Sequence, residues 1–313
     1  MLRKKSQIAA KIETALGTAI ALAAADADHI VYDSEILPDA EYIERPATAS
    51  SSRLPGVVGA RAGTATFTVE AHGKGSSGSP EWASVFLPAC GFYEATQVWK
   101  LITAPPAVSG NVPRTITIAK YTDGRKLMLS GCMGNAVFRF VMGQTLKVDF
   151  TFRGKYSSMA DVGLLSPTLP TVIAPRVANS TITFPAALQT GEVTIDLGNK
   201  VMLIPDIGSG AGTSGYAHAI ITDRDIRARW NQVAALVATR DDYGLWLAGT
   251  PAAFVLNVGG ATWNEIDFSM PALQRASIVD ADQDGVLVDS IEAQATRSAA
   301  NDDELTITFV AGS

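Results

Sequence analysis

The sequence predicts a mainly β protein with two tandem β-sandwich or barrel domains, each with one short flanking α-helix, and three observations favour this fold class. Apolar and polar residues alternate within Thr115–Tyr156, which is typical of strands with one buried face. A similar order of strands and turns returns within Phe254–Thr296. The 313 residues exceed one typical domain, and 27 glycines and 15 prolines supply many turns.

The first meander, Thr115–Tyr156, shows the alternation most clearly in its last strand. Apolar and polar side chains take turns there: Leu146, Val148, Phe150 and Phe152 against Lys147, Asp149, Thr151 and Arg153. The turns Thr122–Gly124 and Met142–Gln144 place glycine between two apolar runs, as hairpins commonly do. We therefore predict strands joined by tight turns.

The second meander, Phe254–Thr296, repeats this order, with a Gly-Gly turn at Gly259–Gly260. Two segments are matched between the copies: Leu129–Ser130 with Phe268–Ser269, and Met142–Gly143 with Asp284–Gly285. We predict a duplicated chain. Its parts are an N-terminal arm at residues 1–30, a first β domain at 31–157, a linker at 158–180 and a second β domain at 181–313.

The N-terminal arm is basic and then rich in alanine, and it lacks the strong hydrophobes that a core of its own would need. Lys11 and Glu13 interrupt its resemblance to a secretion signal, so we expect no secretion. No segment approaches ~20 consecutive strong hydrophobes, so we expect no transmembrane helix. The arm is expected to be partly helical and to dock on a neighbouring subunit through Leu16, Ile20 and Leu22.

The first domain is expected to begin with a strand from Ile30 to about Glu44. A long contact loop of small residues follows at Pro46–Gly63, and then a strand with alternating faces. Ser79 and Pro80 predict the N-cap and the first residue of a short helix. Four apolar residues of this helix are expected to face a sheet: Trp82, Val85, Phe86 and Ala89.

The second domain is expected to follow the same plan. It opens with a strand pattern at 193–204 and continues through a glycine-rich loop at Ser209–Gly215. A short helix at Asp241–Ala248 is the expected counterpart of the first helix. Each half therefore reads as strand, long loop, strand, short helix and meander.

The net charge of −6 and the pI near 5.1 argue against a protein that grips nucleic acid by neutralising phosphates. Cys90 and Cys132 lie in apolar segments and are interpreted as small core residues, with a disulfide between them left open. His29, His72 and His218 have no metal-ligand spacing around them. We interpret these histidines as ordinary surface or strand residues.

Three motifs resemble known binding or catalytic sites, but each lacks a feature that such a site requires. Asp280–Gly285 opens like an EF-hand loop, but its twelfth position is Ile291, so it predicts a hairpin turn, with weak cation binding left open. Gly210–Gly215 matches G-x-G-x-x-G but precedes a strand, which argues against a dinucleotide site. Asp241–Asp242 is interpreted as serving a helix dipole. We predict that the protein is not an enzyme and has no catalytic residue, metal or cofactor.

Seven segments occur in a characteristic order: TFTVEAHGKG, SPEWASVFLPACGF, TITIAKYTDG, LSGCMGNAVFRFVMG, ITDRDIRARWN, ATRDDYGLWLAGT and RSAANDDELTI. Over nearly the whole chain this order resembles the tail tube (major tail) proteins of long-tailed bacteriophages. The resemblance implies a structural virion protein, assembled in the host cytoplasm, whose stacked rings deliver the genome. Its implied partners are itself, the tail terminator, tail tip and tape measure proteins, and double-stranded DNA that passes without specific binding.

In that family the sheets of neighbouring domains join into one barrel wall, and single-domain members form sixfold rings. A duplicated chain therefore implies a trimeric ring of pseudo-sixfold symmetry. Four wall strands in each of two domains of three chains give a wall of about 24 strands. Two loops are expected to stack the rings, with these contact residues: Pro46, Arg53, Leu54, Val57, Arg61, Asp206, Ser209 and Thr213.

A tube that conducts DNA is expected to have a lumen of net negative potential, with its basic residues directed outward or paired with acids. Two other classes stay open at this point. One is an adhesin or carbohydrate-binding β-sandwich protein, which should show clustered exposed aromatic residues or a complete calcium site. The other is a hydrolase with an unrecognised site.

Overall fold

The computed structural model describes residues 2, 4–46, 52–103, 111–157, 159–178, 180–208, 214–298 and 300–310. Strands account for 56% of the chain, and the only two α-helices in the described part are short, which confirms the mainly β class. All named strand pairs are antiparallel.

The first half contains one helix, α1 (Glu81–Ala89), and nine strands in the following order. They are β1 (Ser6–Ile12), β2 (Val31–Pro46), β3 (Arg53–Glu70), β4 (Phe92–Ala95), β5 (Val98–Leu101), β6 (Ile116–Thr122), β7 (Arg125–Val141), β8 (Lys147–Tyr156) and β9 (Ala160–Asp161). A 3-10 turn at Ala24–Ala27 lies between β1 and β2.

The second half contains the helix α2 (Asp242–Leu247) and the remaining strands. They are β10 (Thr181–Thr183), β11 (Thr190–Asp196), β12 (Lys200–Pro205), β13 (Tyr216–Asp223), β14 (Arg227–Val233), β15 (Ala252–Val258), β16 (Glu265–Gln283), β17 (Val286–Ala295) and β18 (Thr306–Val310).

One large sheet runs through both halves. Its strands follow one another in the order β2, β3, β8, β7, β11, β14, β17, β16, and the path continues through β18, β5 and β4. The strands β6 and β1 extend the sheet beside β7, and β15 and β10 extend it beside β16. The strands β12 and β13 form a separate two-stranded sheet.

The strand pairing of the first hairpin is repeated in the second half with identical spacing. Equivalent pairs are Val31 with Val69, Ile36 with Ala65 and Tyr42 with Val58 in the first half, and Thr190 with Gln232, Ile195 with Ala228 and Val201 with Ile221 in the second. Both first strands also carry a register shift after the first of these pairs. The unbroken β2–β3 hairpin therefore corresponds to β11–β12 followed by β13–β14.

The two meanders, β6–β8 and β15–β17, repeat in the same way. The first-half pair Ile116 with Cys132 corresponds to the second-half pair Ala252 with Leu273. The pair Ile118 with Leu129 corresponds to Phe254 with Met270. The match predicted between Leu129 and Phe268 is therefore wrong by two residues, because Leu129 corresponds to Met270. The Asp-Gly turns at Asp123–Gly124 and Asp284–Gly285 have positive φ at both residues, which a type I′ hairpin turn requires.

The two halves share one hydrophobic core as well as one sheet. Phe86 of α1 contacts Phe67 and Phe150 with ring centroids 5.1 Å apart, and Trp82 of the same helix contacts Phe309 of β18. These contacts bear out the expectation that α1 packs on a sheet. Since the core continues from one half to the other, the division into two domains stays a prediction.

Part of the N-terminal arm has a partner within its own chain, and its docking on a neighbouring subunit stays a prediction. Its residues 6–12 form β1, which pairs with β6 of the same chain. Leu22 packs on a small cluster within the chain, Ile20 is half-buried and Leu16 is 48% exposed. The segment thus finds a local partner, because pairing with β6 satisfies its backbone groups and the buried carboxylate of Glu13 holds the chain beyond it.

The expected loop at Pro46–Gly63 is also mostly strand. The strand β2 runs to Pro46 and β3 begins at Arg53, so the two form one long hairpin. The glycines that suggested a loop serve close approaches: a Cβ on Gly56 would lie 2.3 Å from the Tyr42 ring. Cross-strand pairing therefore outweighs the local glycine signal.

The two helices begin differently from the prediction. Pro80 rather than Ser79 occupies the N-cap of α1, and the Ser79 hydroxyl donates to Glu94 at 2.6 Å. Asp241 does cap α2, accepting from the Gly244 amide at 2.7 Å. Asp242, in contrast, is buried in an ion pair with Arg275 and does not serve the helix dipole alone.

Candidate assembly interface

Eight strands form the central path of the sheet, from β2 to β16. No described strand pairs with the outer side of β2 or with one side of the last part of β16, and these are the two open edges. One face of the path carries the core side chains, such as Ala65 and Phe67 on β3 and Phe150 and Phe152 on β8. The other face carries the alternate side chains, and we call it the polar face. Its residues include Thr66 of β3 and Arg139 of β7. Unpaired edges are sites at which another strand can add.

The first edge is the outer side of β2, which pairs only with β3 among the described strands. Its beginning is obstructed by a bulge, where Asp33 has φ 49°, and by the Lys120 ammonium, which donates to the Ser34 carbonyl. From Glu35 onward the edge is open. Leu37, on this edge, is 54% exposed.

The second edge is one side of the last part of β16. Leu273 pairs with Ala252 of β15 on one side and with Ala295 of β17 on the other. From Leu273 to Gln283, β16 stays paired with β17 on one side, whereas β15 does not extend along the other side. No described strand occupies the β15 side of residues 274–283, where Val279 is 60% exposed.

A completed junction of the same kind lies inside the chain, between β7 and β11. Phe138 of β7 pairs with Val148 of β8 on one side and with Ile195 of β11 on the other. The pairing with β11 covers Val137–Val141 of β7 and Glu192–Asp196 of β11. The β7 turn is also held, since the Met142 amide donates to the Gly191 carbonyl at 2.9 Å. The first half is thus joined edge to edge with the second.

The β12–β13 hairpin reinforces the internal junction. Its Leu203 and Ala219 form a buried cluster with Ala62 and Met133 of the first half. Just before the hairpin, the Asn199 amide donates to the carbonyls of Cys90, at the end of α1, and Gly134, at 2.9 and 3.0 Å. A second-half hairpin therefore packs beside the C-terminal end of the first-half helix.

The equivalent β2–β3 hairpin contacts β12–β13 at its base, through Ala62 and Arg61, but the described residues of its outer part have no such partner within the described chain. Apolar side chains are exposed along it, each by roughly half or more: Tyr42, Ile43, Leu54, Val57 and Val58. Exposed apolar side chains gathered on one projecting element mark an interaction surface. This hairpin is free where its counterpart is packed.

The residues predicted to stack rings fall on these two hairpins. Pro46, Arg53, Leu54, Val57 and Arg61 lie in β2 and β3, and Asp206 follows β12. The structure brings the two groups together, because the Arg61 amide donates to the Ser214 carbonyl at 2.8 Å. The predicted contacts at Ser209 and Thr213, and most of the Gly210–Gly215 motif, lie outside the described residues.

The polar face carries both signs of charge, and most of its bases are paired. Arg139 contacts Asp149 at 2.5 Å, and Arg229 contacts Glu292 at 3.2 Å. Arg227 also pairs with Glu292. Lys147 lies over the Tyr32 ring, 5.4 Å from its centroid.

Arg153 and Lys147 are the exceptions on this face, because neither has an ion pair among the described residues, and Arg153 is exposed. Pairing by Asp149 and Glu292 lowers the positive potential that the other guanidinium groups present to a polyanion.

The candidate chemical sites do not assemble. Asp282 and Asp284 lie at a hairpin turn, as predicted, and no group of His, Cys, Asp and Glu side chains in the described part could hold a metal ion. Cys90 and Cys132 are both buried and free, and burial raises the pKa of each thiol above its usual range. They are core residues, as interpreted, and form no disulfide.

Two of the three histidines are buried, which corrects their interpretation as ordinary surface or strand residues. His29 is 6% exposed and contacts the Phe86 ring, and burial with a contribution from His72 lowers its pKa to about 4. His72 is 2% exposed, and its Nδ1 lies 2.7 Å from the Gly73 carbonyl oxygen. Only His218 lies on a partly exposed strand position, in β13.

Two buried polar networks escaped the sequence analysis. The Glu13 carboxylate accepts from the Thr115 and Thr117 hydroxyls and from the Gly17 and Gly131 amides, at 2.6–2.9 Å. The Asp242 carboxylate accepts from Arg275 at 2.7 Å and from Arg240 and Gln232 at 2.6 Å. The threonines that bind Glu13 and Arg275, which pairs with Asp242, are far from them in sequence, and no local pattern marks them. Both networks are structural, and the second includes Arg275 at the start of the open segment of β16.

No known family model matches the chain, and no curated protein matches it. None of the described helices is long and apolar enough to cross a membrane.

Proposed function

We propose that this chain is a structural virion protein, the tail tube protein of a long-tailed bacteriophage. Its copies form trimeric rings that stack into a tube for genome delivery into the host cell. In this proposal each half is one tail-tube domain, a β-sandwich or barrel with a flanking helix. Assembly takes place in the host cytoplasm, and the tail terminator, tail tip and tape measure proteins complete the tail.

The observation that carries the proposal is the eight-stranded path with an open edge at each end and a completed edge-to-edge junction in its middle. The chain already joins one half to the other through β7 and β11. The same join between chains would remove both exposed edges, and a closed ring leaves none. Eight strands from each of three chains give about 24, enough for an open channel rather than a packed barrel.

The polar face supports a lumen that lets DNA pass. The arginines Arg139, Arg227 and Arg229 on this face are paired with Asp149, Asp225 and Glu292, so few free cations are offered to phosphates. The exposed tyrosines of the described chain, Tyr32, Tyr42 and Tyr243, are spread over β2 and α2 and form no aromatic platform. That arrangement gives no support to the alternative of a carbohydrate-binding adhesin.

Electron microscopy of the purified protein tests the proposal. We expect rings and tubes at high protein concentration, and a protein that stays monomeric under all conditions would contradict it. The variant Leu37→Glu adds a charge at the open edge of β2 and should leave folded protein that forms no rings. The matched control is Ile173→Glu, at a side chain that is 74% exposed but lies on neither edge. This control should assemble normally.

A further inference from the structure

We propose that neighbouring copies join through a β2–β16 junction in the same register as the internal β7–β11 junction, with Leu37 of one copy directly opposite Val279 of the next. This inference rests on the proposed ring. It names the partner surface as a second copy of this chain and fixes the residue pairing across it.

The first step assigns β2 the position of β11. Ile36 pairs with Ala65 as Ile195 pairs with Ala228, so Ile36 and Ile195 are equivalent. The next residues along each strand are then equivalent too, Leu37 and Asp196. In the internal junction Asp196 is the last paired residue of β11. In β2 the residue after Leu37 is Pro38, which has no N–H to continue a ladder.

The second step assigns the last part of β16 the position of the last part of β7. Phe150 pairs with Phe67 and Ala136, and Ile291 pairs with Trp230 and Ile278, so Ala136 and Ile278 are equivalent. Counting on, Val137 corresponds to Val279 and Phe138 to Asp280. The internal junction pairs Asp196 with Val137. Replacing both residues by their equivalents places Leu37 opposite Val279.

The exposed side chains fit this pairing. Leu37 is 54% exposed and Val279 is 60% exposed within one chain, although neighbouring positions of the polar face are charged or hydroxylated. Side chains directly opposite on antiparallel strands have Cβ atoms about 5 Å apart. The junction would therefore cover two apolar side chains with each other. Ile36 would face Asp280, whose carboxylate already accepts a hydrogen bond from Tyr243.

Residues near the two edges also correspond in position to residues of the internal junction. The turn Met142–Gly143 contacts Gly191 in the internal junction, and the equivalent turn in the second half is the acidic Asp284–Gly285. The position equivalent to Gly191 is Tyr32, which lines a cavity of about 890 Å³ beside β2. Two bases, Lys4 and Lys120, and two acids, Asp33 and Glu35, line the same cavity. The acidic turn of one copy would thus approach a surface of mixed charge on the next, and charge does not select this pairing.

The free β2–β3 hairpin completes the junction. Its counterpart β12–β13 places Ile221 against Gly91, the residue at positive φ that follows α1. Val58 is equivalent to Ile221, and Gly249 follows α2 at positive φ as Gly91 follows α1. Val58 would therefore pack at the end of α2 of the neighbouring copy, where Leu247 is 79% exposed.

Cysteine cross-linking tests the register. The double variant Leu37→Cys, Val279→Cys is oxidised after assembly and run under denaturing, non-reducing conditions. Cys90 and Cys132 are buried and should not form cross-links. We expect at least a tenfold faster cross-link than in Leu37→Cys, Asp280→Cys, whose side chains would leave opposite faces of the sheet. A second control, Leu37→Cys, Ala281→Cys, keeps the face and shifts the register by two residues.

The outcomes separate this inference from the proposed function. Fast cross-linking of the Leu37 and Val279 variant to covalently closed trimers supports both. If rings form but either control cross-links faster than the Leu37 and Val279 variant, the register is wrong. The register is also wrong if rings form and no variant cross-links. In both cases the tube proposal stands. Wild-type protein that shows no rings by microscopy, together with variants that do not cross-link, overturns both.

Discussion

At the scale of single residues, hydrogen bonds from buried polar side chains hold the N-terminal segment in place. Glu13 is 3% exposed, and its carboxylate satisfies two hydroxyls and two amides that come from the chain beyond β1 and from β6 and β7. Lys155, also buried, donates to the Gly17 carbonyl at 2.6 Å. A buried group with all its partners specifies one arrangement, whereas a missing partner leaves several unsatisfied groups.

The first prediction concerns Glu13→Ala. Its four donors would lose their acceptor in a site closed to water, and we expect a loss of stability of about 3 kcal/mol or more. Glu13→Gln keeps one acceptor oxygen and should lose less. Urea unfolding of unassembled protein measures both, and hydrogen exchange should show β1 released first. Equal stability of the alanine variant and wild type would show that the network does not hold the segment.

The second prediction is a pH dependence from His29. Its pKa is lowered to about 4 in the folded chain from 6.5, first by burial and then by His72, while Asp26 opposes the shift. Asp28 lies 3.5 Å away without a hydrogen bond. Because the unfolded chain binds the proton more readily between pH 4 and 6.5, this contribution is present above pH 6.5 and is lost as pH falls toward 4.

The variant His29→Leu isolates that contribution. A shift from 6.5 to about 4 corresponds to about 3 kcal/mol across the window. Wild type should therefore lose about that much more stability than the variant between pH 7 and pH 4. Parallel stability curves for the two proteins over this range would contradict the assignment to His29.

Residue patterns explain which parts of the fold could be predicted. Leu146, Val148, Phe150 and Phe152 are all buried, because strand alternation is encoded within a few neighbouring residues. Glu13 could not be recognised, since Thr115, Thr117 and Gly131 lie about a hundred residues away. Distant pairing has no local signal in a single sequence.

At the scale of secondary-structure elements, the second half of the chain repeats the strand order of the first half. The hairpins and meanders of the two halves keep the same pairs and nearly the same bulges, so the repeated order was predictable even where the match at Leu129 was two residues wrong. The β2–β3 hairpin was mistaken for a loop because its glycines are locally turn-like. Its structure depends on the partner strand, as the Tyr42 ring over Gly56 shows. The candidate interface itself, two open edges, is a property of topology and required the structure.

The third prediction concerns the hairpin and α2. Val58→Asp should weaken ring formation at least tenfold without changing the stability of the monomer, because a charge would be placed against Leu247 of the next copy. Leu247→Lys in the same chain should restore part of the assembly by supplying the opposite charge. Analytical ultracentrifugation measures the ring fraction. Normal assembly of the single Val58 variant would show that the hairpin does not dock at α2.

At the scale of the whole molecule, the polar face is the surface that the proposed tube would present to DNA. Three carboxylates, of Asp149, Asp225 and Glu292, pair with three guanidinium groups, of Arg139, Arg227 and Arg229, in the described structure. Free guanidinium groups bind phosphates with an affinity that falls steeply with salt.

The fourth prediction follows from that pairing. Tubes of the double variant Asp149→Asn, Glu292→Gln should retain short duplex DNA at low salt and release it as salt rises, whereas wild-type tubes should not retain it. The double variant Asp302→Asn, Glu304→Gln removes both carboxylates that pair with Arg224, which precedes β14, and serves as the control. Fluorescence anisotropy with labelled DNA reads out binding. Equal binding by all three tubes would mean that the polar face does not line the channel.

The central claim is that the open edges of β2 and β16 close a ring of identical chains. A reconstruction of the assembled protein by electron cryomicroscopy tests it most directly, by counting copies and tracing the sheet across each contact. We predict three copies, a continuous wall of about 24 strands and β2 of one copy paired with β16 of the next. An assembly in which both edges stay exposed, or whose copies meet through other surfaces, would contradict the claim.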